Sequence, residues 1–321
     1  MNAHGILTYM RFGYVAIFCA FLYVSPFIAF AQSGASIVLS PQFPGSNEPF
    51  TATLGGVYEP GATVRWFIDN KEDKTSASKK TISLTASDLN SKQSIRALIF
   101  TRDGVSIKVG KTVIPVRVDI LIDANTVAPA FYEGRHLPSS GSSMSAQALV
   151  FQGTSKSTNA LSYVWTIGDN VQNGGFATTD NSVSFTTGFE NSILVGVSVL
   201  QNGQTVAKKS VFVPVIEPEI LFYEKNPLRG LSYVALHNPH IFIGDELQLR
   251  AEGYFMSNDI ALKNILQEWK INNVKTQGDA ENPQEITLRK QGTTGTSNIS
   301  FQIRNLQQLL QGVVGSISVQ F

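Results

Sequence analysis

The chain has 321 residues, 43% of them apolar and only 15% charged, enough apolar material to bury two or three hydrophobic cores. Lys and Arg number 25 against 24 Asp and Glu, a balance that argues against nucleic-acid or anionic-membrane surfaces, both of which need a concentrated positive field. No nucleic-acid partner is therefore expected, and basic pairs such as Lys79-Lys80 and Lys208-Lys209 read as solvated strand ends.

Arg11 is the only charged residue before Gln32, and it precedes an uncharged run over residues 12–31 that closes with Ala29-Phe30-Ala31. A basic n-region, an apolar h-region and an A-x-A cleavage site predict that residues 1–31 are a signal peptide. About 20 apolar residues can also cross a bilayer, so retention as an N-terminal anchor helix is the alternative, and residues 1–31 are the only expected membrane contact. The single cysteine, Cys19, lies inside this run. The rest of the chain has none, so disulfides cannot hold it together and packing must. The expectation is an exported bacterial protein that is extracellular, on the cell surface or on the periplasmic side.

Beyond the leader, Trp-x-Ile occurs three times and uses every tryptophan: Trp66-Phe67-Ile68-Asp69-Asn70, Trp165-Thr166-Ile167-Gly168-Asp169-Asn170 and Trp269-Lys270-Ile271-Asn272-Asn273. A spacing of about 100 residues matches one β-sandwich and is too long for a solenoid repeat. In the first copy, period-two alternation predicts strands over residues 49–54, 63–68, 81–85, 94–101 and 105–116. Tyr58-Glu59-Pro60-Gly61 reads as a turn, and Asp103-Gly104 as a two-residue hairpin. The second copy repeats the order over residues 147–151, 161–167, 182–186, 192–200 and 205–215, with its hairpin at Asn202-Gly203. The third follows through residues 246–251, 265–271, 285–288 and 299–303. A short helical turn over residues 306–311 then replaces the tight hairpin.

The predicted fold is all-β: three tandem immunoglobulin-like, PKD-like β-sandwiches over residues 32–116, 117–216 and 217–321, with Trp66, Trp165 and Trp269 as core pins. Junctions are short and carry proline rather than a Gly/Ser tether, which implies a stiff series of modules. After each junction comes an aromatic pair, Phe131-Tyr132 and Phe222-Tyr223, each followed by glutamate and then a proline- and glycine-bearing loop. These pairs read either as plugs for one end of a sandwich or as an exposed surface for a protein or glycan partner.

The element Tyr163-Val164-Trp165-Thr166-Ile167-Gly168-Asp169-Asn170 resembles the central strand of immunoglobulin-like and PKD-type modules of bacterial surface proteins, Tyr-x-Trp-x-Phe-Gly-Asp-Gly. The three-module layout and the Phe-Tyr-Glu loops are also similar to those of exported multi-domain proteins of small-genome bacteria, some associated with type IV pili. The resemblance implies a non-enzymatic surface or spacer protein in adhesion, envelope or pilus assembly.

The search for chemistry yields little. His237-Asn238-Pro239-His240 with Asp245 and Glu246 is the nearest approach to a metal site, but Pro239 breaks the helix that would align the rings. Asp169 with Asp180 is the weaker candidate, for calcium. Asp119 with Asp123, or Asp69 with Asp73, are the carboxylate pairs a hydrolase would need, and a solvated surface role suits all four better. No catalytic residue, metal or cofactor is predicted. A carbohydrate-binding protein using Phe131, Tyr132, Phe222 and Tyr223 is the alternative, and a hydrolase the second alternative.

Overall fold

The computed structural model describes residues 34–56, 61–152, 155–156, 161–258, 265–290, 292, 294–305 and 312–321. The expected leader over residues 1–31, the turn at residues 58–60 and the helical turn at residues 306–311 lie outside the described residues.

The first unit contains β1 (Ser36–Ser40), β2 (Pro49–Gly55), β3 (Thr63–Ile68), β4 (Lys71–Asp73), β5 (Thr81–Thr85), β6 (Gln93–Phe100) and β7 (Ser106–Val113). They form two antiparallel sheets, β1-β2-β5 and β4-β3-β6-β7. Alternation sends Phe50, Ala52 and Leu54 of β2 and Val64 and Trp66 of β3 inward, where they meet Ile82, Ile95, Ala97 and Ile99 in one core.

The second unit repeats the arrangement with β8 (Arg117–Ala124), β9 (Ser143–Gln152), β10 (Ser155–Lys156), β11 (Leu161–Ile167), β12 (Asn170–Val171), β13 (Ser182–Thr186), β14 (Ser192–Gln201) and β15 (Gln204–Pro214). Strands β8, β10 and β13 pair with β9, and β12-β11-β14-β15 form the facing sheet. Trp165 packs there with Met144, Ala146, Val195, Val197 and their neighbours. Val113 belongs to the first core and Val116 to the second, so only Ile114 and Pro115 separate them.

The third unit has β16 (Glu219–Asn226), β17 (Gly230–Ala235), β18 (His240–Ile241), β19 (Glu246–Tyr254), β20 (Ile265–Ile271), β21 (Val274–Thr276), β22 (Glu285–Arg289), β23 (Thr296–Asn305) and β24 (Gly312–Gln320). Its sheets are β17-β16-β19-β22 and β18-β24-β23-β20-β21, and β18 runs parallel to β24. Where the first two units have the single strands β1 and β8, the third inserts the β16–β17 hairpin and the short β18.

The shared Asp/Asn element is a tight turn. In the first and third units Ile68 pairs with Lys71 and Ile271 with Val274, leaving Asp69-Asn70 and Asn272-Asn273 as two-residue loops with positive φ at both positions, the geometry of a type I′ turn that Asn and Asp tolerate best. The side chains of Asp69 and Asn272 then accept from the backbone N–H of Ser94 (2.7 Å) and Asn298 (2.9 Å). Gly168 replaces that side chain in the second unit, where its own N–H still donates to Leu194 (2.8 Å). Asn202-Gly203 is a two-residue turn as expected. Asp103-Gly104 is not: Thr101 N donates to the Val105 carbonyl, leaving a three-residue loop with Gly104 in the left-handed region. Hydrogen bonds of Thr101 Oγ1 with Val105 close it one residue wider.

The three indoles differ in one respect. Trp66 Nε1 donates to the Lys79 carbonyl and Trp269 Nε1 to that of Pro283, both at 2.9 Å, whereas the buried Trp165 Nε1 finds no acceptor among the described residues. Replacing each Trp by Phe should therefore destabilise the chain least at position 165, by roughly 1–2 kcal/mol less than at 66 or 269, as read from the denaturant midpoints of the three variants.

Candidate functional site

The aromatic pairs singled out in the sequence come together, but not as equivalents. Phe222 and Tyr223 sit within β16, whereas Phe131 and Tyr132 belong to the long connection between β8 and β9. That connection leaves the second unit and packs against the third. Thr126 and Ser257 form an isolated antiparallel bridge. Around it Val127 N donates to Met256 O (2.8 Å), Phe255 N to Val127 O (2.7 Å) and Asn258 N to Asn125 O (2.9 Å). The Asn258 side-chain amide also donates to Asn125 Oδ1 at 3.1 Å.

Aromatic rings fill the space beneath this backbone seam. Tyr132 meets Tyr254 and Phe255 edge-on, each at 5.6 Å between centroids, and Phe131 meets Tyr223 edge-on at 5.3 Å, the arrangement aromatic quadrupoles favour. Tyr223, Tyr254 and Phe255 are buried, with Leu137, Ile216 and Leu221 packed around them. The φ of Phe255 is 60°, a left-handed conformation costing an L-residue about 1–2 kcal/mol, and its N–H bond to Val127 is what that conformation aims. Ile216 N donates to the Pro138 carbonyl and fastens the far end of the loop (2.9 Å).

This placement corrects one expectation. Phe222, 4% exposed, lies in the third core against Trp269, and Tyr223 is 3% exposed beneath Phe131, so neither presents a ring to a ligand. Phe131 and Tyr132 are half-buried. The exposed aromatic of the region is Tyr233 on β17, 71% exposed and stacked on Phe131 at 4.9 Å and 23°. Sequence inspection passed over Tyr233 because the Pro and Gly of residues 227–230 mark a loop, and the strand after them is short.

Beside Tyr233, the outer face of the β16-β19-β22 sheet carries a charge network. Along β19, Leu247, Leu249 and Ala251 point into the core, so Gln248, Arg250 and Glu252 point outward. Glu285 of β22, 1% exposed, accepts from Lys225 Nζ at 2.6 Å and from Gln248 Nε2 and an Arg250 guanidinium nitrogen, both at 3.3 Å. Arg250 Nε donates to Glu252. The clue in the sequence is polar-apolar alternation over residues 247–252, but joining Glu285 to it requires the register that sets Arg250 opposite Glu285.

The other candidates are dispersed. Asp73 accepts from Thr75 N, Thr75 Oγ1 and Ser76 Oγ, capping a 3₁₀ turn over Lys74–Ser76, and these bonds hold its carboxyl below the usual range. Asp69 closes its turn, and Asp119 pairs with Arg117 at 2.7 Å. Asp123, Asp169, Asp180 and His237 are exposed. Among the described residues no group of three or more His, Cys, Asp or Glu is placed to hold a metal ion.

No protein-family model matches the chain, and no curated protein matches it. Among solved structures it is similar to the three N-terminal domains of the highly immunogenic outer capsid protein, Hoc, of bacteriophage RB49, at 12% identity over 89% of this chain and 97% of that one, with a TM-score of 0.26. It is also similar to the fibronectin(III)-like modules of Clostridium thermocellum CbhA, at 12% identity over 56% and 93% of the two chains and a TM-score of 0.27. A third is Bacteroides ovatus SGBP-B of a mixed-linkage glucan utilization locus, in complex with a mixed-linkage heptasaccharide, at 14% identity over 86% and 64% and a TM-score of 0.22. At these identities and scores none of them bears on function.

Two outcomes follow from the geometry of the third unit. Arg250→Ala removes the ion-pair partner of the buried Glu252 and leaves Glu285 with Lys225 alone, and it should lower the stability of the third unit by about 1–3 kcal/mol, measured by chemical denaturation. Burial raises the pKa of Tyr223, reinforced by its hydrogen bond to Tyr254, and burial also raises that of Tyr254. With folded-state values above the usual phenol value of about 10, the stability these groups contribute is complete below about pH 10 and is lost as the pH rises towards the folded values. Thermal unfolding should show an alkaline decline above about pH 10 that the double variant Tyr223→Phe/Tyr254→Phe flattens.

Proposed function

We propose that the chain is an exported, non-enzymatic tandem of three immunoglobulin-like sandwiches over residues 32–116, 117–216 and 217–321, acting as a surface spacer and interaction module in adhesion, envelope or pilus assembly. Residues 1–31 serve as its leader or anchor, and Trp66, Trp165 and Trp269 pin the three cores. The observation that carries this reading is the seam between the second and third units. Its backbone bridge at Thr126 and Ser257 and its aromatic fill from Tyr132, Tyr254 and Phe255 give two consecutive sandwiches a shared, buried joint. Such a joint holds a surface in a defined orientation. The two-residue connection between the first and second cores restricts that junction as well.

A second reading, a carbohydrate-binding surface protein, is favoured by one feature, the exposed ring of Tyr233 supported by Phe131. Exposed aromatic rings backed by rigid neighbours concentrate contact energy.

The spacer reading is tested by small-angle X-ray scattering of the wild type and Tyr132→Ala. The wild type should give a narrow distribution of dimensions. Tyr132→Ala removes two of the three edge-on contacts across the seam and should broaden the distribution while far-UV circular dichroism stays unchanged. Identical scattering from the two proteins would count against the joint as the determinant of orientation.

A further inference from the structure

We propose that the outer face of the third sandwich, where Tyr233, Arg250 and Glu252 line one cleft, is a saccharide-binding site. The inference rests on the interaction-module reading above and assigns that module a ligand class and a set of residues. Three independent features meet there.

The first is a stacking surface. Tyr233 is 71% exposed, yet one face of its ring is fixed against Phe131 at 4.9 Å and 23°, and Phe131 is in turn held edge-on by the buried Tyr223. The opposite face of Tyr233 is open and cannot swing freely, so little rotamer freedom is lost when a flat apolar surface settles on it. The C–H face of a pyranose ring is such a surface.

The second is a paired donor and acceptor in the same cleft as that ring. Arg250 and Glu252 line the same shallow cleft as Phe131, Leu231 and Tyr233, about 410 Å³ in volume. The bonds to Glu252 and Glu285 engage two of the five N–H donors of the guanidinium. A carboxylate and a guanidinium side by side match vicinal hydroxyls, which both donate and accept. A cleft of this size suits about one or two sugar rings. The paired charges oppose a purely anionic ligand at Glu252 and a purely apolar one at the floor.

The third is rigidity. The floor strand β19 is held by the Lys225, Gln248, Arg250 and Glu285 network, and the cleft wall at Pro129 and Phe131 comes from the second unit. The site is therefore complete only when both units are present.

The test is affinity electrophoresis of the full chain through gels containing a soluble β-glucan, xylan, galactomannan or xyloglucan. At least one polysaccharide should retard the wild type. Tyr233→Ala should weaken that retardation by at least about tenfold, while Tyr233→Phe, which keeps the ring and loses only the hydroxyl, stays within about twofold of wild type. Circular dichroism and thermal midpoint should be unchanged in both, since the side chain is largely solvent-exposed. Absence of retardation by all four polysaccharides overturns the assignment, as does retardation that Tyr233→Ala leaves intact. Capture of a peptide ligand that competes at Tyr233 without any polysaccharide binding also overturns it, in favour of a protein partner. None of these results alters the scattering comparison of Tyr132→Ala, so the saccharide assignment and the spacer reading fail separately.

Discussion

Each unit depends on an indole clamped between two sheets. With no cysteine beyond Cys19, cross-links cannot restrain the unfolded chain, and the free energy of each fold comes from apolar burial and backbone pairing. The large flat rings on β3, β11 and β20 are buried in cores shared with residues of the opposite sheet. The rest of the pattern follows from that clamp: small residues such as Ala52, Ala97, Ala146 and Ala251 sit in the cores beside the rings, and the strands that carry the rings end in tight turns that keep their register.

The joints between units are made differently. Between the first and second, the chain passes from one core to the next through Ile114 and Pro115, with Asn90 N donating to the Pro115 carbonyl at 3.3 Å and Lys208 lying 6.0 Å over the Phe43 ring. Between the second and third, a whole loop crosses over, carries its own bridge and brings Phe131 and Tyr132 with it. A long connection in a compact domain is normally functional or poorly ordered. Here it is spent on the neighbour, which explains why its aromatics resemble surface residues in sequence and are half-buried in the structure.

The strands carrying the tryptophans were legible residue for residue, because Val64-x-Trp66-x-Ile68 and Tyr163-x-Trp165-x-Ile167 alternate without interruption and Ile265, Trp269 and Ile271 keep the same phase past Gln267. Asn202-Gly203 was legible as a turn because Asn and Gly both tolerate the positive φ that a two-residue hairpin demands. Asp103-Gly104 misled because Thr101 supplies side-chain bonds that widen the loop, a contribution invisible in a two-residue motif. Strand β1 was hidden behind the expected leader, and β17 behind the Pro227 and Gly230 punctuation. The Phe-Tyr-Glu repeat looked like one element used twice. Topology separates them, since one copy lies on a strand and the other on a loop, and only the fold brings Phe131 over Tyr223. The Arg250, Glu252 and Glu285 network was illegible in principle, because 35 residues separate Arg250 from Glu285 and only strand register joins them.

The seam also dictates an order of events. Its two halves lie at residues 125–137 and 254–258, so a chain emerging N-terminus first completes every strand of the second sandwich while Val127, Phe131 and Tyr132 still have nothing to grip. Val127 and Tyr132 stay bare until the end of β19 has followed, more than a hundred residues later, and Phe131 until Tyr223 and Tyr233 have arrived. During that interval the half-made protein carries a sticky, waiting surface, and the natural first occupant of that surface is its own next domain.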